Sequence, residues 1–184
     1  LKMASWMHDI GKITTPQYVM DKSTKLETIF DRIDIVETRF RLIARLIEND
    51  CLRRKIELIQ DGNDPSEIKR LEEESQDKIS MVYEELEFVK SCNSKGFLKD
   101  EEADRLREIA AKTYSLADET LPYLTSDELR NLCVRRGTLT REERETMEKH
   151  AEMTFKILCL LPFPQELKNV PEYASQHHLK LDGS

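Results

Sequence analysis

Residues 26–47 read LETIFDRIDIVETRFRLIARLI, and the spacing of their apolar side chains decides the fold class. Leu26, Ile29, Ile33, Val36, Phe40, Ile43 and Ile47 recur in alternating steps of three and four, the rhythm of one seam along an α-helix. A second stripe, Ile35, Leu42 and Leu46, widens the apolar face, so this helix is expected to have more than one neighbour, either a later helix or a second copy of the chain. It runs to about Gln60, where Asp61-Gly62-Asn63-Asp64-Pro65 breaks it. Asp64 reads as the N-cap of a second long helix, with Pro65 at its first position and Glu67 three residues after the cap. That helix carries Ile68, Leu71, Ile79, Val82, Leu86 and Val89 on one side, and the short turn makes the two an antiparallel hairpin.

On the C-terminal side, Asn93-Ser94-Lys95-Gly96 precedes a third helix expected over 100–117, with Leu106, Ile109, Ala110 and Thr113 inward. Ser126 then caps a short fourth helix ending near Gly137. On the N-terminal side, residues 1–10 read as the end of a buried helix, stopped by Gly11 and turned by Thr14-Thr15-Pro16. Thr140 with Glu143 forms a capping box that opens a helix from Arg141 to about Leu161, where Pro162 stops it. Its inner face reads Met147, His150, Ala151, Thr154, Leu158 and Leu161, and Trp6, Met7 and Ile10 are expected to pack on it. Pro171 starts a last short helix, Val170 and Tyr173 inward, running into His177 and His178.

Composition agrees with an all-α chain. Only 5 Gly and 6 Pro stand among 184 residues of which 35% are charged, which argues against a β-sandwich and against disorder. The net charge of -7 leaves no basic excess to hold a nucleic-acid backbone, so DNA and RNA are not expected partners. The longest apolar run, residues 157–163, falls far short of the roughly 20 residues of a membrane helix. Cys51, Cys92, Cys133 and Cys159 are scattered without CxxC spacing, which fits reduced cytoplasmic thiols. The chain opens in an uncapped apolar stretch and stops at Asp182-Gly183-Ser184, and so reads as a piece of something longer.

Four histidines, His8, His150, His177 and His178, all lie in the two flanking pieces, on or beside inward helical faces, with Asp9 directly after the first. A lone histidine on an apolar face is more often a satisfied core residue. Four that share the arrangement raise the metal reading, because imidazole and carboxylate suit Mn, Fe, Zn and similar ions and a carboxylate bridges a pair of them.

The string Ala4-Ser5-Trp6-Met7-His8-Asp9-Ile10-Gly11-Lys12-Ile13-Thr14-Thr15-Pro16 resembles the signature of the HD superfamily of metal-dependent phosphohydrolases, and more narrowly its HD-GYP branch. Gly137 to Arg144, Glu148-Lys149-His150, Leu161-Pro162-Phe163-Pro164 and His177-His178-Leu179-Lys180-Leu181-Asp182-Gly183-Ser184 resemble the rest of that pattern. The likeness covers about residues 1–29 and 137–184 and implies an incomplete HD-type metal-binding core, interrupted by a helical insertion over 30–136 made of the hairpin, the third helix and the short fourth.

What it implies for function is a cytoplasmic bacterial signalling enzyme, a phosphodiesterase that cleaves cyclic di-GMP with a hydroxide activated by two divalent transition metals, Fe, Mn or similar. By the same resemblance His8, Asp9, His150, His177 and His178 are metal ligands, with Asp9 bridging and catalytic. Lys12 would meet a substrate phosphate, and Asp182 and Gly183 would begin the loop over the substrate. Leu179 stands where the family commonly has Glu, and the helix that would bring a further histidine, like the Gly-Tyr-Pro loop, falls outside the 184 residues, so this chain alone is expected to be inactive. Two other readings stay open. One is an HD phosphohydrolase for another nucleotide or phosphoester. The other is an inactive regulatory module that forms a homodimer through the insertion.

Overall fold

A computed structural model describes residues 2–62 and 64–176. Its elements follow in the order α1 (Lys2–Met7), a 3-10 turn (Ile10–Thr14), α2 (Gln17–Met20), α3 (Ile33–Gln60), α4 (Pro65–Ser94), α5 (Asp100–Ala110), β1 (Thr113–Leu116), β2 (Glu119–Pro122), α6 (Ser126–Leu132), α7 (Arg141–Glu148), α8 (His150–Cys159), a second 3-10 turn (Gln165–Leu167) and α9 (Val170–Ser175). The chain is therefore predominantly α-helical, with one two-stranded antiparallel ribbon. It divides into two compact units, residues 24–138 and residues 1–23 with 139–184. No helix among the described residues is long and apolar enough to cross a membrane.

The unit 24–138 is built on the hairpin of α3 and α4. Asp64 caps α4 by accepting from the Ser66 amide at 3.1 Å, and Pro65 takes the first helical position. The helices run antiparallel: Lys90 of α4 meets Glu37 near the start of α3, and Lys55 meets Glu72 near the turn. Val36, Phe40, Ile43, Val82, Leu86 and Val89 close one core with Leu106, Ile109, Leu124 and Leu132. Phe40 also meets the Tyr123 ring edge-on at 5.5 Å.

Several expectations are corrected here. Helix α3 begins at Ile33 and not at Leu26, because the segment before it is fixed by side-chain bonds that compete with the helical ladder. Thr24 donates to Asp31 at 2.7 Å, the Leu26 amide donates to Asn93 at 2.7 Å, and Asp31 itself accepts from the Ile33 amide at 3.0 Å. Leu26 still reaches the core from this loop, whereas Ile29 is 92% exposed. The stripe residues Ile35 and Leu42 are exposed, so α5 does not cover them. Helix α5 ends at Ala110, and Thr113 lies in β1, where Thr113-Tyr114-Ser115 prefers a pleated strand. Ala117, at φ 51, turns the ribbon. Thr125, not Ser126, caps α6, because only that choice puts Glu128 at the third position of the box. That helix stops at Leu132, and residues 135–137 instead pair with 96–98 through the Leu98 and Gly137 amides.

In the other unit α8 packs against the first 3-10 turn and α9, α1 lies on α9, and α2 lies on α7. Ala4, Leu158, Val170 and Ala174 form its core, with Met7, Phe163 and Leu167 against them. The capping box of Thr140 and Glu143 is present, and Glu143 also accepts from the buried Lys22 ammonium at 2.8 Å.

Four further corrections fall in this unit. Trp6 is not buried on the 141–161 segment: α1 is a six-residue helix whose Ala4 and Met7 face inward, leaving Trp6 79% exposed with Lys2 over its ring. The expected single helix is two, α7 and α8, broken at Lys149, where the His150 ring binds the Met147 carbonyl. Helix α8 ends at Cys159, since Pro162 bars residue 161 from helical geometry and the Leu160 and Leu161 amides reach back only three residues. Leu161 is exposed, and so is Tyr173, because Val170, Pro171 and Ala174 are the face α9 buries.

Candidate functional site

The site sits where the chain leaves α1. Helix α1 ends at Met7, and His8 and Asp9 precede the 3-10 turn, which is drawn tightly onto α8. Gly11 makes that approach: a Cβ there would lie 2.0 Å from the His150 carbonyl oxygen and 2.5 Å from the Thr154 amide. Thr154 stitches the two elements together. Its hydroxyl accepts from the Gly11 amide at 2.9 Å and donates to the His8 carbonyl at 2.9 Å. Three residues of sequence spacing near residue 10 and one helix near residue 150 thus fix both faces of one small cluster.

Asp9 is its centre. Oδ2 lies 3.2 Å from His8 Nε2 and 2.7 Å from Lys12 Nζ, and Oδ1 lies 3.5 Å from His150 Nε2. Asp9, His8 and Lys12 are partly open to solvent, and His150 is only 2% exposed. Burial pushes the Asp9 carboxyl up, but the Lys12 hydrogen bond and charge, with His8 and His150, outweigh it and hold it below the usual carboxylate range.

The tautomers follow from the partners. His8 Nδ1 is 2.7 Å from the Ser5 carbonyl, and His150 Nδ1 is bound to the Met147 carbonyl. A carbonyl oxygen only accepts, so each Nδ1 carries a proton and Nε2 is the nitrogen each ring turns to Asp9. Lone pair against carboxylate is favourable only with a second proton on the ring or with a cation shared between them. Backbone-anchored Nδ1 and carboxylate-facing Nε2 is also the arrangement that prepares an imidazole as a metal ligand. One imidazole and one Asp9 oxygen on each side are donors of the kind a divalent cation takes. Among the described residues, no three of His, Cys, Asp or Glu form a group that could hold a metal ion by themselves.

Of the residues singled out from the sequence, His8, Asp9, Lys12 and His150 come together, although 138 positions separate Lys12 from His150. His177, His178, Leu179, Asp182 and Gly183 lie outside the described residues. The sequence reading missed Thr154 and Gly11 as positioning residues. Thr154 passed as one more member of an inward stripe and Gly11 as a helix stop, and the signal for each was a small or polar residue on an otherwise apolar face.

No curated protein and no solved structure matches the chain. A family model described as an HD domain matches residues 67–184, a span that contains His150, His177 and His178 and begins after His8 and Asp9. With more than half of its residues covered by that match, the chain belongs to the HD domain family, a superfamily of metal-dependent phosphohydrolases.

Proposed function

We propose that residues 1–29 and 137–184 form a metal-dependent phosphohydrolase core of HD-GYP type, acting on cyclic di-GMP. The observation that carries the reading is the turning of His8 and His150, from opposite ends of the sequence, toward opposite oxygens of one carboxylate. In this reading His8 and Asp9 hold one divalent transition ion, and Asp9, His150, His177 and His178 hold another. When bound, such ions polarise a phosphoryl oxygen and lower the pKa of water.

The chain's own residues do the rest. Asp9 fixes the two sides of the site relative to each other. Its charge also keeps the Lys12 ammonium at the site mouth, 2.7 Å away. When that charge is neutralised, Lys12 is free to swing to a substrate phosphate oxygen, and by the family resemblance Asp182 and Gly183 would begin the loop over the same substrate. His150, buried on α8, is anchored at Nδ1 by the Met147 carbonyl so that Nε2 stays turned to Asp9.

One observation favours a second reading. Leu179 stands where the family commonly has Glu, which suits a site that has lost turnover and serves only regulation. Turnover decides between them. In a longer chain that also carries the family's further histidine and its Gly-Tyr-Pro loop, the proposal expects metal-dependent hydrolysis of cyclic di-GMP in preference to other phosphodiesters, and its loss in Asp9→Asn. Faster hydrolysis of another nucleotide would move the substrate assignment, and no metal-dependent hydrolysis of any phosphoester would favour the regulatory reading.

A further inference from the structure

Helix α3 carries two apolar seams, and its own unit covers only one. Val36, Phe40, Ile43 and Ala44 are buried against the rest of that unit. The other seam runs Ile35, Thr38, Leu42, Arg45, Asn49, Leu52, Ile56 and Ile59, in unbroken alternating steps of three and four from one end of the helix to the other. Each of these residues is exposed. In heptad terms Ile35, Leu42, Asn49 and Ile56 stand at a, and Thr38, Arg45, Leu52 and Ile59 at d. Near its start the seam borders a shallow groove that Asp34, Arg39 and Tyr114 complete.

We infer that α3 pairs in parallel with α3 of a second copy of this chain, as a two-stranded coiled coil with Asn49 facing Asn49 across the axis. The pattern itself names the occupant. Ile35 and Ile56 at a and Leu52 at d follow the two-stranded pattern, Leu42 at a and Thr38, Arg45 and Ile59 at d depart from it, and the single Asn at a sets register in a parallel pair because two amides then satisfy each other. The flanking charges make the same choice. A parallel pair sets Glu48 against Arg53 of the second copy, and the other flanking positions bring together Asp34 with Arg39, Arg41 with Leu46 and Lys55 with Gln60, none of them like charges. The antiparallel arrangement that overlaps the seam end to end sets Glu48 against Glu48, Arg41 against Lys55 and Asn49 against Arg45. Arg45 already pairs with Glu48 on its own helix, which turns its guanidinium toward the flank and leaves its stem in the seam. The inference stands apart from the phosphohydrolase reading, since no site residue takes part.

Sedimentation equilibrium of the full 184-residue chain tests it, with circular dichroism to confirm that each variant keeps its helices. The chain should show a concentration-dependent dimer. Leu52→Asp, which puts a charge in the seam at an exposed position of the monomer, should weaken it by about a hundredfold or more with helicity intact. Glu48→Arg should weaken the dimer, and Glu48→Arg with Arg53→Glu should restore it. A chain that stays monomeric at every concentration would overturn the proposal, as would a dimer indifferent to Leu52→Asp. A dimer strengthened by Arg53→Glu alone would overturn the parallel pairing.

Discussion

The two units fill their interiors with different chemistry. Residues 24–138 bury a continuous apolar core between α3, α4, α5 and α6, with rings of Phe40, Tyr114 and Tyr123 edge to face. Its buried charges are paired or anchored: Arg39 binds both oxygens of Glu128 and the Tyr123 carbonyl, and Lys25 donates to the Leu132 carbonyl at 3.0 Å. The other unit buries the small or medium apolar residues Ala4, Val19, Leu158, Val170 and Ala174 and, beside them, Lys22, Thr140, His150 and Thr154. A unit that gives its interior to polar groups holds them in place for chemistry and gains less from burial. The hairpin unit should therefore be the sturdier of the two, and the histidine unit the one whose fold and function fail together.

The largest effect should come from the hairpin core. Phe40→Ala removes a fully buried ring and should cost about 3–5 kcal/mol, read from the midpoint and slope of urea unfolding. An equal loss from Leu161→Ala, exposed in the other unit, would break the comparison.

Next stands Glu128→Ala, which strands the Arg39 guanidinium. Breaking a fully buried pair costs about 3–5 kcal/mol, and because Arg39 keeps some contact with water the loss should be about 2 kcal/mol. The same pair gives the hairpin unit a pH dependence. Burial raises the Glu128 carboxyl, but its bonds to Arg39 and to the Thr125 amide outweigh this and hold it below the usual glutamate range when folded. The unfolded chain then takes up that proton first as pH falls. The stability is full above the ordinary glutamate range and lost through acid titration below it, and Glu128→Ala should flatten that part of the acid melting profile.

Gly11→Ala sharpens the comparison from the other side. Its methyl would meet the His150 carbonyl, so the turn must leave α8, at a cost of about 1–3 kcal/mol confined to the histidine unit. Hydrogen exchange should show amides of α8 deprotected and those of α4 unchanged. The smallest effect on stability should be that of Lys12→Ala, a partly exposed pair with Asp9. Metal content should stay, and in the longer chain that carries the family's further histidine and Gly-Tyr-Pro loop turnover should fall.

The contrast also explains what could be read from the sequence. The α3–α4 hairpin was legible because Val36, Phe40, Ile43, Val82, Leu86 and Val89 repeat at helical spacing and Asp64-Pro65 punctuates the turn. The start of α3 was not, because Asp31, Thr24 and Asn93 hold the preceding loop through contacts whose partners lie up to 67 positions apart. Strand β1 was missed for a related reason: Thr113 reads as one more residue of a helical stripe until Pro122 stands opposite it in the ribbon. At the site, His8, Asp9, Lys12 and His150 could be chosen by residue type and resemblance. Thr154 and Gly11 carry no chemistry of their own, and only the close approach of the turn to α8 gives them a role.

Metal binding at Asp9 tests the central claim most directly. Titration of Mn²⁺ into the 184-residue chain, followed by the loss of the free-ion electron paramagnetic resonance signal, should show binding in the wild type and in Lys12→Ala. Asp9→Asn should bind markedly less while unfolding at an unchanged urea midpoint. Undiminished Mn²⁺ binding by a folded Asp9→Asn chain would contradict the account, because the carboxylate on which His8 and His150 converge would then hold no metal.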